Sequence, residues 1–145
     1  MSGSLRVVAD VNVLVSAVRT PGGLCGTLVD EALAGRWRLV MSIQLIEELE
    51  TVLARPAFRD RLGDESIARF LLGLLAIAEL VDDPPPAEEQ LSRDPDDDYL
   101  IALARAAHVD GLVSGDRDLL VLDDPEHPVW TPATFLAKIS DPSAR

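Results

Sequence analysis

The sequence predicts an α/β protein in which a central parallel β-sheet is flanked by helices on both faces. Residues 5–9 are short, mostly apolar and rich in valine, which is typical of a strand buried on both faces. Further short apolar stretches alternate with segments of helical spacing, as in sheets whose crossovers are helices. At 145 residues the chain is expected to form one domain over residues 1–145, with flexible tails at residues 1–4 and 141–145.

The remaining elements follow from apolar spacing and from end signals such as Gly35, the N-cap Ser42 and Pro132. Helices are predicted over residues 24–34, 42–55, 64–80, 97–107, 119–122 and 132–139. Further strands are predicted over residues 37–41, 80–81, 112–114 and 129–130. Residues 82–90, with three consecutive prolines, are expected to form a surface linker rather than a domain boundary.

Composition restricts the classes of function. The net charge of −12 disfavours nonspecific binding to nucleic acid or anionic membranes, so any contact with phosphates needs a local basic patch or a bound metal. Cys25 is the single cysteine, which excludes an internal disulfide and fits a cytoplasmic protein. We expect no membrane span and no secretory signal.

Asp10 stands where the first strand should end, with apolar sequence on both sides. A carboxylate in such a position is costly to bury without a partner. Ligands of parallel α/β sheets bind at the carboxyl ends of the strands. Asp10 is therefore a candidate ligand-binding residue, and other acids placed in the same way are candidates for the same site.

Three further acids are candidates. Glu48 lies at the border of the apolar stripe of its helix, whereas Glu47 points directly away from it. Asp97 shares the helical face of Leu100, while Asp98 is rotated about a quarter turn away. The alternative is that these acids only cap the helix or complement its dipole.

Asp116 repeats the arrangement of Asp10, since it follows a buried strand and a permissive Gly115. A turn aspartate with no function is the alternative, and Asp118 is interpreted as the N-cap of the next helix. Clustered carboxylates repel one another unless cations neutralise them, and oxygen ligands favour Mg²⁺ or Mn²⁺ over zinc. The two histidines have no metal-ligand spacing.

Five motifs, in order, carry a resemblance that spans almost the whole chain. They are VADVNVL (residues 8–14), SIQLIEELETVLARP (42–56), DPDDDYL (94–100), SGDRDLL (114–120) and TPATFL (131–136). In these motifs the chain resembles PIN-domain ribonucleases of the toxin type (VapC-like) found in bacterial toxin–antitoxin systems. The resemblance implies a single PIN-like nuclease domain.

The resemblance also implies a metal-dependent endoribonuclease that hydrolyses single-stranded RNA with one or two Mg²⁺ or Mn²⁺ ions. Asn12 would orient the first acid, Asp98 is the alternative third acid, and Ser114 and Arg55 would contact substrate. The acids implied as catalytic metal ligands are Asp10, Glu48, Asp97 and Asp116.

The implied partners are RNA, a cognate antitoxin and a second copy of the chain in a homodimer. Arginines at positions 36, 38, 55, 59 and 61 are candidates for a patch that tracks the RNA backbone, or simply for a solubilising surface. The main alternative function is a catalytically silent PIN-fold protein that acts as a binding module. A receiver domain, a dehalogenase-like phosphatase and a dinucleotide-binding protein are disfavoured, because their characteristic residues are missing.

Overall fold

The computed structural model describes residues 4–85, 95–120 and 127–140, and within these ranges the side chains of residues 95–97 and 118 are not described. Most of the two predicted tails, residues 86–90 of the predicted linker and residues 121–122 of a predicted helix lie outside the described residues. The predicted cap role of Asp118 also falls outside them.

The described strands form one five-stranded sheet, and every pair of neighbours in it is parallel. The sheet order is β3-β2-β1-β4-β5, with β1 in the centre, where it is buried on both faces. The strands are β1 (Arg6–Ala9), β2 (Arg38–Met41), β3 (Glu79–Leu80), β4 (Gly111–Val113) and β5 (Val129–Trp130). Each lies where the sequence predicts a strand, with bounds that differ by no more than one residue at either end.

The helices of the described residues are α1 (Val11–Arg19), α2 (Leu24–Leu33), α3 (Ile43–Leu53), α4 (Pro56–Leu62), α5 (Asp64–Ile77), α6 (Pro95–Ala106), α7 (Arg117–Leu120) and α8 (Pro132–Ser140). Two of them, α1 and α4, were not predicted. Helix α1 is rich in valine, a poor helix former, and depends on capping by Asp10 and on an almost completely buried apolar face. Pro56 does end α3, but it also occupies the first turn of α4, where its missing N–H costs nothing.

The order of the strands in the sheet determines on which face of the sheet each group of helices lies. Moving from β1 to β2 and β3, the chain crosses through α1 to α5, which pack against one another. It then returns across β1 to β4 through α6, which contacts β1 and β4. Because such crossovers are right-handed, α6 lies on the opposite face of the sheet. The predicted fold class, a parallel sheet with helices on both faces, is confirmed.

This topology has a switch point between β1 and β4, where successive connections leave in opposite directions. In open parallel sheets the crevice at the carboxyl ends of the strands beside such a point is the usual ligand site. The residues that follow β1 and β4 are Asp10 and Ser114. The fold therefore places the first predicted acid at this crevice.

An ion pair joins β1 and β3 at the amino ends of the strands, away from Asp10. The guanidinium of Arg6 in β1 donates two hydrogen bonds to the carboxylate of Glu79 in β3 and one to the backbone oxygen of Ala107. The hydrogen bond from Arg6 lowers the pKa of Glu79. No helix in the described part of the chain has the length and apolarity needed to cross a bilayer.

Candidate active site

Asp10 connects β1 to α1. Its backbone N–H donates to the carbonyl of Val113 at 2.9 Å, which extends the pairing of β1 with β4 by one residue. Its carboxylate caps α1 by accepting the backbone N–H of Asn12 at 3.2 Å, and only 8% of the residue is exposed. The Asn12 side chain is exposed, so the described contact with Asp10 comes from its backbone.

Ser114 ties the ends of β1 and β4 together. Its hydroxyl is fully buried, donates to the second carboxylate oxygen of Asp10 at 2.9 Å and accepts the backbone N–H of Asp116 at 2.9 Å. The substrate contact that the resemblance implies for Ser114 stays a prediction, and its described contacts are with the Asp10 carboxylate and the backbone of Asp116. Asp116 itself is half-buried at the start of α7.

Glu48 lies on α3, which starts at the carboxyl end of β2. Ser42 caps this helix by accepting the backbone N–H of Leu45 at 3.3 Å, as the sequence predicts. Glu47 is exposed and Glu48 half-buried, in agreement with the predicted difference between the two. The negative charge of Glu48 contributes to raising the pKa of Tyr99 of α6, although burial of Tyr99 is the largest cause.

Helix α6 carries the third predicted acid. The side chain of Asp97 is outside the described residues, so its placement stays a prediction. Asp98, expected to turn away from the core, is instead 8% exposed. The reason is that α6 is buried over a wide arc, and Ile101, one turn further along from Asp98, is buried as well.

Tyr99 is the residue that reasoning from the sequence missed. Its hydroxyl donates to Asp83 Oδ1 at 2.5 Å and is hydrogen-bonded to the Ser42 hydroxyl. Burial is the largest cause that raises the pKa of Tyr99, followed by the hydrogen bond to Asp83. A usable signal was present, since Tyr99 is the single tyrosine of the chain and directly follows the predicted acids.

The described hydrogen bonds and ion pairs of the predicted arginines do not involve the predicted acids. Arg55 is exposed at the start of α4, and no described hydrogen bond or ion pair connects it to the acids. Arg36 and Arg59 are paired with Glu31 and Asp64, at 2.8 and 3.1 Å. These pairs reduce the positive charge that the arginine set presents to a polyanion.

The structure thus brings Asp10, Ser114 and the backbone of Asp116 into one hydrogen-bonded unit. Glu48 is close enough to Tyr99 of α6 for its charge to contribute to the raised pKa of Tyr99. The described residues contain no group of three or more histidines, cysteines or acids arranged to hold a metal ion. This finding does not extend to Asp97, whose side chain lies outside the described residues.

Comparison with known families shows the family to which the chain belongs. The family model of the PIN domain matches residues 6–118. The chain belongs to the PIN domain family. Proteins with this domain are in general nucleases.

The chain is also similar to one curated protein and to two solved structures. MJ1680, an uncharacterised protein of Methanocaldococcus jannaschii, is 27% identical over 121 residues, which cover 83% of this chain and 76% of that protein. The crystal structure of PAE2754 from Pyrobaculum aerophilum has a TM-score of 0.66 at 19% identity and covers 97% of this chain and 94% of that one. VapBC2 from Rickettsia felis, bound to a DNA fragment from its promoter, has a TM-score of 0.62 at 14% identity, covering 88% and 98%. At these identities the two structures share the fold of this PIN domain.

Proposed function

We propose that this PIN domain is an endoribonuclease that uses Mg²⁺ or Mn²⁺ to hydrolyse phosphodiester bonds in single-stranded RNA. The observation that carries the proposal is the hydrogen-bonded unit at the switch point. There the Ser114 hydroxyl joins the Asp10 carboxylate to the backbone of Asp116. A nearly buried carboxylate held from two sides at the ligand-binding edge of a parallel sheet is arranged for a site rather than for solubility.

The acids proposed to hold one or two ions are Asp10, Glu48, Asp116 and an acid of α6, which is Asp97 or Asp98. Their donor atoms are all carboxylate oxygens, which suit Mg²⁺ and Mn²⁺. Such an ion, when bound, would offset the negative charge on the phosphoryl oxygens and the leaving oxygen and would make a water molecule a better nucleophile. The backbone N–H of Asn12 and the hydroxyl of Ser114 orient the Asp10 carboxylate, and Arg55 is proposed to contact the RNA backbone.

The charge balance of the protein supports a role for the metal. At a net charge of −12 the protein as a whole repels RNA. Two of the five candidate arginines are already paired with carboxylates. Cations at the acidic edge would therefore provide the local attraction for phosphates.

The test is cleavage of a mixed single-stranded RNA pool with Mg²⁺ or Mn²⁺. We expect activity that EDTA abolishes and that Asp10→Asn lowers by at least a hundredfold. Asp110→Asn is the matched control, because the same chemical change is made at the opposite edge of the sheet, where Asp110 accepts the backbone N–H of Arg6 at 2.8 Å. Cleavage that persists in Asp10→Asn or in EDTA would refute the mechanism, and an inactive wild type would favour the binding module.

We further propose that the domain is a cytoplasmic toxin neutralised by a cognate antitoxin. The structural likeness to Rickettsia felis VapBC2, solved with promoter DNA, supports this assignment at the level of the fold. Induced expression is expected to arrest bacterial growth, and Asp10→Asn is expected to relieve the arrest. Growth unaffected by the wild type, at a confirmed level of folded protein, would argue against a toxin.

The proposal includes a homodimer. Helix α5 exposes 68% of Leu72 and 45% of Leu75, and both are apolar side chains that a second copy can cover. Sedimentation equilibrium is expected to give twice the chain mass of 15.7 kDa. A monomer at all concentrations would refute this part alone.

A further inference from the structure

The hydroxyl of Tyr99 joins three segments that are distant in the chain. Tyr99 lies in the first turns of α6, Ser42 lies between β2 and α3, and Asp83 follows β3. Asp83 Oδ1 also accepts the backbone N–H of Gln44, at 3.2 Å. One carboxylate oxygen thus binds both the start of α3 and the side chain of Tyr99.

These contacts fix α6 relative to α3 at the carboxyl edge of the sheet. The Ser42 hydroxyl is fully buried and caps α3 at the same time. The later part of α6 is held separately, because Leu100, Leu103 and Ala104 pack into the core. Among the contacts described, the Tyr99 hydroxyl is a polar contact that fixes the N-terminal part of α6 to the start of α3.

The two helices held in this way carry two of the proposed metal ligands. Glu48 lies on α3, and the acids at positions 97 and 98 directly precede Tyr99. We propose that Tyr99 is a positioning residue of the metal site, whose hydroxyl holds the acids of α6 at the distance from Glu48 that a divalent cation requires. This inference rests on the proposed metal-dependent function and adds Tyr99, Ser42 and Asp83 to its machinery.

The physical reason is the narrow tolerance of metal coordination. Ligand oxygens must be held to within about 0.5 Å of the productive geometry, and residues that orient ligands typically change metal affinity by roughly tenfold to a hundredfold when altered. Tyr99→Phe keeps the ring and removes only the hydroxyl. We expect the variant to stay folded and to bind Mn²⁺ roughly tenfold more weakly.

The experiment measures Mn²⁺ affinity by isothermal titration calorimetry and the Mn²⁺ concentration that gives half-maximal RNA cleavage. Both are expected to change by the same factor in Tyr99→Phe, with the KM for RNA unchanged and full activity recovered at high Mn²⁺. Thr27→Val is the matched control, since it also removes a hydroxyl hydrogen bond, from Thr27 to the carbonyl of Gly23 at 3.0 Å in α2. Its Mn²⁺ requirement is expected to equal that of the wild type.

Variants at Asp83 separate positioning from charge and keep the test valid if Tyr99→Phe fails to fold. Asp83 is exposed, so its substitution leaves the core intact. Asp83→Asn retains an oxygen that accepts from Tyr99 and is expected to stay within twofold of the wild type. Asp83→Ala removes the oxygen and is expected to weaken Mn²⁺ binding as Tyr99→Phe does.

The outcomes distinguish the two proposals. A wild type that binds Mn²⁺ and a folded Tyr99→Phe that binds it equally well would overturn the positioning role and leave the proposed function standing. Equal losses in Asp83→Asn and Asp83→Ala would also overturn it, since they would point to charge. A wild type that binds no Mn²⁺ would overturn the metal-dependent function and this inference with it.

Discussion

Ser114→Ala tests the central contact of the site. The substitution removes a fully buried hydroxyl that donates to the Asp10 carboxylate and accepts the backbone N–H of Asp116, each at 2.9 Å. A hydrogen bond to a charged group contributes about 1.5–3 kcal/mol, and the second, neutral bond about 1 kcal/mol. We therefore expect the free energy of unfolding to fall by about 3 kcal/mol and Tm to fall by roughly 10 °C.

The assay is equilibrium unfolding in urea, followed by tryptophan fluorescence and circular dichroism, with an unchanged m-value as the sign of an intact fold. Ser66→Ala, at an exposed position of α5, is the control and is expected to stay within about 0.5 kcal/mol of the wild type. A double-mutant cycle with Asp10→Ala should give a coupling energy of about 1.5–3 kcal/mol. A loss below about 0.5 kcal/mol in Ser114→Ala, or no coupling to Asp10, would refute the reasoning.

Two further predictions concern stability away from the site. The hydrogen bond from Arg6 lowers the pKa of Glu79 below its ordinary value of 4.5, so the stabilisation it provides is present above pH 4.5 and is lost as the pH falls through the lowered pKa of the folded state. Between pH 5 and pH 3 the urea midpoint of the wild type should therefore fall further than that of Glu79→Gln, by an amount worth less than about 1 kcal/mol because the pair is partly exposed. Equal slopes would contradict this. His108 lies in the turn after α6 and has a φ of 52°, a conformation that favours glycine. His108→Gly should therefore raise the free energy of unfolding by about 0.5–1 kcal/mol in the same assay, and a loss of stability would contradict the prediction.

The positions of Asp10 and Asp116 were predictable from the sequence for a physical reason. Both follow a short buried strand, and parallel strands end at the same edge of a sheet, so order along the chain translates into proximity in space. Glu48 was distinguished from Glu47 by helical periodicity alone, which sets how far each side chain turns from the apolar stripe. These inferences needed only local geometry.

The inward face of α6 and the role of Tyr99 were not predictable in this way. An apolar stripe suggested that Asp98 turns away from the core, but a helix packed against two strands is buried over a wider arc than its stripe. The hydroxyl of Tyr99 meets Ser42 across 57 residues and Asp83 across 16. No periodic signal reports such a contact, because it depends on how α6 is docked.

The sequence by itself determined the fold class, the order of most strands and helices along the chain, and the positions of Asp10 and Asp116 after β1 and β4. It did so because strand burial, helical spacing and capping are local properties of the chain. Only the tertiary structure decided that Ser114 joins Asp10 to the backbone of Asp116, and that Tyr99 fixes α6 against α3. Both depend on strand register and helix docking, which arise from the packing of the whole core rather than from any one segment.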